Sequence, residues 1–240
     1  ALGVIFANTY DNLVPELVAE RSMASIPFGG RYRLIDFTLS SMANAGIDNV
    51  SVIVRRNYHS LMDHLGAGRE WDLTRKRGGL NIVPPFAERS VKVYSGRVDA
   101  LESILSWLEA QKERYVILSD AYTALNFDFA KLIDAHVNSG ADVTMVYNRA
   151  PIPEGARSDN YTIRIDDAGR VTEILSNDYR LGEQNLSLNI YVIERESLIH
   201  LVHDAAVRGL VYFERDILAR NLKLSRIVAM SFCEPRSCLN

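Results

Sequence analysis

The sequence predicts an α/β domain: a mostly parallel sheet with helices on both faces and an antiparallel hairpin insertion. Short continuous apolar runs at Leu2 to Ala7, Val50 to Val54, Tyr115 to Leu118 and Val143 to Tyr147 suit strands buried on both faces. Segments of helical apolar spacing separate them, which implies right-handed crossovers and parallel pairing. Tyr161 to Ile165 and Val171 to Leu175 alternate about Asp166-Asp167-Ala168-Gly169, the pattern of an antiparallel hairpin.

The elements follow in order. After the first strand comes a polar, irregular segment from Asn8 to about Ser22. Ile35, Leu39, Met42 and Ala43 then recur at helical spacing, and Asn44-Ala45-Gly46 supplies a stop. Tyr58 to Leu65 reads as a short helix broken by Gly66-Ala67-Gly68, and Leu80 to Val83 as a strand ended by Pro84-Pro85. Val98 to Ala110 is amphipathic, with Leu101, Ile104, Leu105 and Leu108 on one stripe. A helix is expected from Phe129 to Val137, a strand from Leu188 to Ile193 that rejoins the main sheet, two further helical stretches, and a last strand over Arg226 to Phe232. All 240 residues read as one domain, with a hairpin-containing subregion at 151–187 and no internal repeat.

Composition narrows the function. Hydrophobic residues make up 48% and charged ones 24%, so a packed core is expected. A formal net charge of −3 argues against a general nucleic-acid binder but permits a local basic pocket for a phosphorylated small molecule. The two cysteines, Cys233 and Cys238, suggest neither a disulfide scaffold nor a zinc site, and read as reduced thiols of a cytoplasmic protein. No apolar stretch approaches the ~20 residues that cross a bilayer, and the N-terminus opens on a strand without a signal-peptide pattern. No membrane association is expected.

In an open parallel sheet, ligands bind beyond the carboxyl ends of the strands, which puts any phosphate-binding element in the loop from Asn8 to Ser22. Such a loop needs glycines, so that backbone N–H groups can approach phosphate, and a cation. This one has no glycine, and its one basic residue, Arg21, lies at its far end. It reads equally well as a surface connection.

Ile26-Pro27-Phe28-Gly29-Gly30-Arg31-Tyr32-Arg33-Leu34-Ile35-Asp36-Phe37, with Leu39-Ser40 and Asn44-Ala45-Gly46-Ile47, resembles bacterial glucose-1-phosphate adenylyltransferases. The likeness continues through Ser60 to Gly66, Trp71-Asp72-Leu73, Ile82 to Phe86 and Tyr94-Ser95-Gly96-Arg97-Val98-Asp99-Ala100, the last resembling the family's Gly-Thr-Ala-Asp-Ala, and covers residues 2 to 195. It implies a Rossmann-like sugar nucleotidyltransferase domain that joins ATP and glucose 1-phosphate to give ADP-glucose and pyrophosphate with Mg²⁺. It further implies that Gly29, Gly30, Arg31, Arg33, Gly96, Asp99 and Ser187 contact a nucleotide, phosphate or effector.

The departures from the family pattern fall on its chemistry. Its Gly-Gly-x-Gly-x-Arg-Leu loop aligns with Ala7-Asn8-Thr9-Tyr10-Asp11-Asn12-Leu13, so the phosphate arginine falls at Asn12. A phosphate-neutralising lysine falls at Met23. Anchored on Asn126-Phe127-Asp128-Phe129, the Mg²⁺-binding aspartate falls at Tyr122. Asp120, two residues earlier, is the catalytic or metal candidate that remains, and it requires a register shift of roughly 7 Å along the strand. The family's Glu-Lys-Pro sugar-phosphate element falls at Ser176-Asn177-Asp178 without its charges.

Phosphoryl transfer relies on positioning and charge neutralisation, so losses at these places together point to impaired catalysis. The pattern resembles a regulatory, catalytically silent subunit of glycogen biosynthesis that works in a homo- or hetero-oligomer with a catalytic glucose-1-phosphate adenylyltransferase subunit. Arg31, Arg33, Arg55, Arg56 and Lys92 are then the cations expected in its cleft. An active adenylyltransferase that uses Asp120 and Mg²⁺, and a stand-alone nucleotide- or sugar-phosphate-binding module, remain open. The β-helix repeats that follow this domain in the family are absent from these 240 residues, whether through truncation or because a remainder is not represented.

Overall fold

The computed structural model describes residues 1–75, 78–84, 94–152, 160–178, 180 and 182–232. Lys92, Pro85, Phe86, Cys233 and Cys238 fall outside the described residues. The chain opens with β1 (Leu2–Phe6), a short helix α1 (Pro15–Val18) and a two-stranded hairpin of β2 (Pro27–Phe28) and β3 (Tyr32–Arg33). It continues through α2 (Leu34–Asn44), β4 (Asn49–Ile53), α3 (His59–Leu65), β5 (Gly79–Val83), α4 (Arg97–Glu102), α5 (Leu105–Glu109), β6 (Tyr115–Asp120), α6 (Phe129–Ser139) and β7 (Val143–Pro151). The hairpin β8 (Tyr161–Ile165) and β9 (Val171–Ser176) leads to β10 (Glu183–Glu194), α7 (Arg195–Val207), a π-helical turn (Phe213–Leu218), α8 (Ala219–Asn221) and β11 (Ile227–Ser231).

The main sheet runs β11-β7-β10-β6-β1-β4-β5. β5, β4, β1 and β6 pair in parallel, as do β11 and β7, and β10 runs antiparallel to both β6 and β7. The expected mostly parallel sheet is therefore present, and β10 is the strand that rejoins it. The β8-β9 hairpin is part of the same sheet, because Thr162 pairs with Leu186 of β10.

Strand periodicity divides the core between the two faces. Leu2, Val4, Phe6, Val116, Leu118 and Tyr191 pack with α4, α5, α7 and the π turn. Ile5, Val52, Ile117, Val146 and Val192 pack with α2, α3 and α6 on the other face. β1, β4 and β6 are thus buried on both faces, as their sequences imply.

Two elements differ from the sequence expectation. The amphipathic segment from 98 to 110 is not one helix: it breaks between α4 and α5, where the Ser103 hydroxyl donates to the Ala100 carbonyl (2.7 Å). Such back-bonding competes with the helical ladder. β10 is also longer than expected and irregular, since four steps from Ser187 to Tyr191 match two from Tyr147 to Met145 on β7. The extra residues form a bulge with Asn189 in left-handed conformation (φ 55°).

Candidate functional site

A cleft of about 440 Å³ opens where β1, β4 and β6 end, the position that parallel-sheet topology favours and a size typical of small-molecule sites. The loop after β1 supplies Asn8, Thr9 and Tyr10, and the turn after β4 supplies Arg55 and Arg56. Gly96 and Arg97 at the start of α4, Asn189 from the bulge and Glu214 from the π turn also line it.

The loop after β1 is held by side chains where a glycine-rich loop would use backbone. Asn8 donates to Asp11 Oδ2 (2.6 Å) and to the Arg56 carbonyl (3.0 Å), and accepts from the Arg55 amide (2.7 Å), fastening this loop to the turn after β4. Asp11 is buried and accepts from the Met23 amide (2.9 Å); burial pushes its carboxyl up. Tyr10 adopts a left-handed conformation (φ 66°), and its ring meets that of Tyr122 edge-on at 4.8 Å. Burial pushes both phenols up, so both stay neutral. Tyr10 and Tyr122, which the resemblance sets against a family glycine and the family's metal aspartate, therefore pack on each other.

Asp120, the last residue of β6, lies just beneath the cleft, behind Thr9, Arg97 and Asn189, with its side chain 1% exposed. Its Oδ1 accepts from Thr9 Oγ1 (2.8 Å) and Arg97 Nη2 (3.0 Å), and its Oδ2 from the same Nη2 (3.0 Å) and from Asn189 Nδ2 (3.0 Å). Arg97 Nη1 also pairs with Glu214 Oε1 (3.1 Å), which accepts from the Tyr191 hydroxyl (3.1 Å). Burial alone would pull the Arg97 guanidinium down; Asp120 and Glu214 reverse this and hold it protonated. Its guanidinium lies over the Phe6 ring at 4.6 Å.

Arg97 and Glu214 were missed in the sequence, and both left a signal there. Arg97 shares a helical stripe with Leu101, Ile104 and Leu108, and Glu214 sits among Phe213, Ile217 and Leu218, so each is a charge on an apolar face.

The other sequence candidates fall in different places. Gly96 lines the cleft, and its missing Cβ is what lets the Val211 carbonyl approach, since a Cβ there would lie 2.4 Å from that oxygen. This brings the segment bearing Glu214 onto Arg97. Asp99 accepts from the Ser95 amide (2.9 Å) and closes the first turn of α4. Ser187 bonds within the bulge, accepting from the Asn189 amide (3.2 Å). Gly29 and Gly30 form the β2-β3 turn, where φ values of 61° and 77° suit glycine.

Arg31 is exposed, while Arg33 is spent on Ser60, donating to its carbonyl and to its Oγ (2.8 Å). The hairpin that carries Arg31 and Arg33 does not line this cleft. Arg55 and Arg56 do. Among the described residues neither guanidinium has an ion-pair partner, and the Arg55 Nε is buried without a hydrogen bond. Burial, and then the adjacent Arg56, pull Arg55 down, which marks a cation short of counter-charge.

The Mg²⁺ implied by the resemblance can be tested against this geometry. A carboxylate offers about four acceptor directions, and those of Asp120 are taken by Thr9, Arg97 and Asn189. A divalent ion does not fit beside Asp120 as it is arranged. Among the described residues no group of three or more His, Cys, Asp or Glu side chains is placed to hold a metal.

A doubly covered parallel sheet with a cleft beyond its carboxyl ends is the frame of a nucleotide-handling domain. The nucleotidyl transferase family profile matches residues 13–223, and the chain belongs to that family. It is 42% identical over 149 residues to the glycogen biosynthesis protein GlgD of Geobacillus stearothermophilus, covering 62% of this chain and 43% of that protein. It is 42% identical over 147 residues to the GlgD of Bacillus subtilis, covering 61% and 43%. It is also 37% identical over 199 residues to the glucose-1-phosphate adenylyltransferase of Thermotoga neapolitana, covering 82% and 46%. The chain thus spans less than half the length of these relatives.

Proposed function

We propose that this chain is a catalytically silent, regulatory member of the nucleotidyl transferase family, acting in glycogen biosynthesis by modulating an active glucose-1-phosphate adenylyltransferase. The observation that carries this is the engagement of Asp120 by Arg97, with Glu214 on the guanidinium's other side. Phosphoryl transfer needs free charge placed against the moving group. Here the carboxylate at the strand end is neutralised from within, and Tyr10 and Tyr122 pack beside it. Similarity to relatives named both as GlgD and as glucose-1-phosphate adenylyltransferase supports the pathway.

In this reading Arg55 and Arg56 draw a nucleotide or sugar phosphate into the cleft as an effector. Its binding energy biases the partner through a shared interface in a homo- or hetero-oligomer, a coupling free energy in place of chemistry. A cytoplasmic setting belongs to the same proposal. Among the described residues no helix is long and apolar enough to cross a membrane.

ADP-glucose formation is to be assayed with the pure chain and with the chain mixed with an active glucose-1-phosphate adenylyltransferase. The expected result is no turnover alone and an altered KM or effector response in the mixture. Turnover alone would favour the active-enzyme reading, and an unchanged partner would leave a stand-alone binding module.

A further inference from the structure

Two buried carboxylates from different parts of the chain meet at the base of the cleft, Glu214 lining it and Asp120 just beneath. Asp120 ends β6 and Glu214 is carried by the π turn, and their side chains are 1% and 4% exposed. Two such groups stay together in a low-dielectric site only if a cation lies between them or one is neutralised. Arg97 is that cation, its Nη2 3.0 Å from Asp120 and its Nη1 3.1 Å from Glu214.

Thr9 and Asn189 take further acceptor directions of Asp120, and the Tyr191 hydroxyl takes one of Glu214. The guanidinium also stacks over Phe6, so it cannot turn away without giving up that contact.

We propose that the Arg97 guanidinium is a resident cation that fills the position between Asp120 and Glu214 and closes the cleft to divalent metal ions. Hard divalent ions take carboxylate and amide oxygens as ligands. Without Arg97, the Asp120 and Glu214 carboxylates would face one another with no cation between them. Arg97 is therefore what separates this floor from a metal site. The inference concerns what the cleft excludes and does not depend on the subunit role proposed above.

The test is a MnCl₂ titration of the purified chain, followed by the electron paramagnetic resonance signal of free Mn²⁺. The readout is binding that depends on Asp120, the difference between each protein and its Asp120→Asn counterpart. The native chain should show none. Arg97→Ala and Arg97→Met should each gain a site, with Asp120-dependent affinity rising by about tenfold or more. The methionine variant retains an apolar stem over Phe6 should the alanine variant fail to fold, and near-ultraviolet circular dichroism establishes that each variant is folded.

Asp120-dependent binding by the native chain overturns the proposal, as does a folded Arg97 variant that gains none. Should both variants unfold, the native titration alone decides. Because the probe is metal binding by this chain alone, failure here and failure of the subunit reading are separate results.

Discussion

Arg97 illustrates how a single side chain sets the character of the site. Changing Arg97 to Ala leaves Asp120 and Glu214 buried without their cation, and breaking such a pair from one side costs about 3–5 kcal/mol. Urea denaturation should show this as a lower midpoint with an unchanged slope. A variant within about 1 kcal/mol of the parent would show that the cluster adds little to stability. Aligned against the family, Arg97 occupies an ordinary slot of a recognised motif, and its importance comes from Glu214, more than a hundred positions further along and past the motifs that carry the resemblance. His136, buried in α6 with its Nδ1 2.8 Å from Thr144 Oγ1, gives a pH prediction. Burial pulls its imidazole down, so the unfolded chain binds the proton more tightly. The stability from neutral His136 is fully present above pH ~6.5, the unfolded-chain value, and is lost as the pH falls below it through the lower folded-state value. His136→Gln should flatten the dependence of Tm on pH in that window, and an unchanged slope would assign it to other groups.

At the scale of elements, the β10 bulge turns a strand residue into a site residue. Asn189 holds φ 55° and donates to both Asp120 (3.0 Å) and the Tyr10 hydroxyl (2.7 Å). Two substitutions separate conformation from hydrogen bonding. Asn189→Gly accepts the left-handed backbone and loses only the side-chain bonds, whereas Asn189→Ala loses both, so the alanine variant should be less stable by about 1 kcal/mol more. Equal midpoints in urea would contradict the conformational part. Most strands and helices were legible because burial on one or two faces writes a period into the sequence, as in Leu2 to Phe6 and α6. The bulge was not, since Leu188 and Ile190 continue the apolar pattern through it, and the break between α4 and α5 turns on the Ser103 hydroxyl, which periodicity does not register.

For the whole molecule, topology and motif strength point to different places. The best-matched segment, Pro27 to Arg33, forms a hairpin that does not line the cleft, while the poorly matched loop from Asn8 to Asn12 does. Parallel-strand ends fix where a ligand can enter, so the position of that loop is legible from the order of strands and helices in the sequence. Its filling by Asn8, Tyr10 and Asp11 is legible as missing glycines. The convergence of Arg97, Asp120, Asn189 and Glu214 is not, because those residues meet across four separate stretches of chain. The proposed non-catalytic role rests on a cleft lined by two arginines, with the Asp120 and Glu214 carboxylates neutralised by Arg97. The most direct measurement is pyrophosphate release from ATP and glucose 1-phosphate by the purified chain in the presence of Mg²⁺. The account predicts no release above background, and sustained release abolished by Asp120→Asn would contradict it.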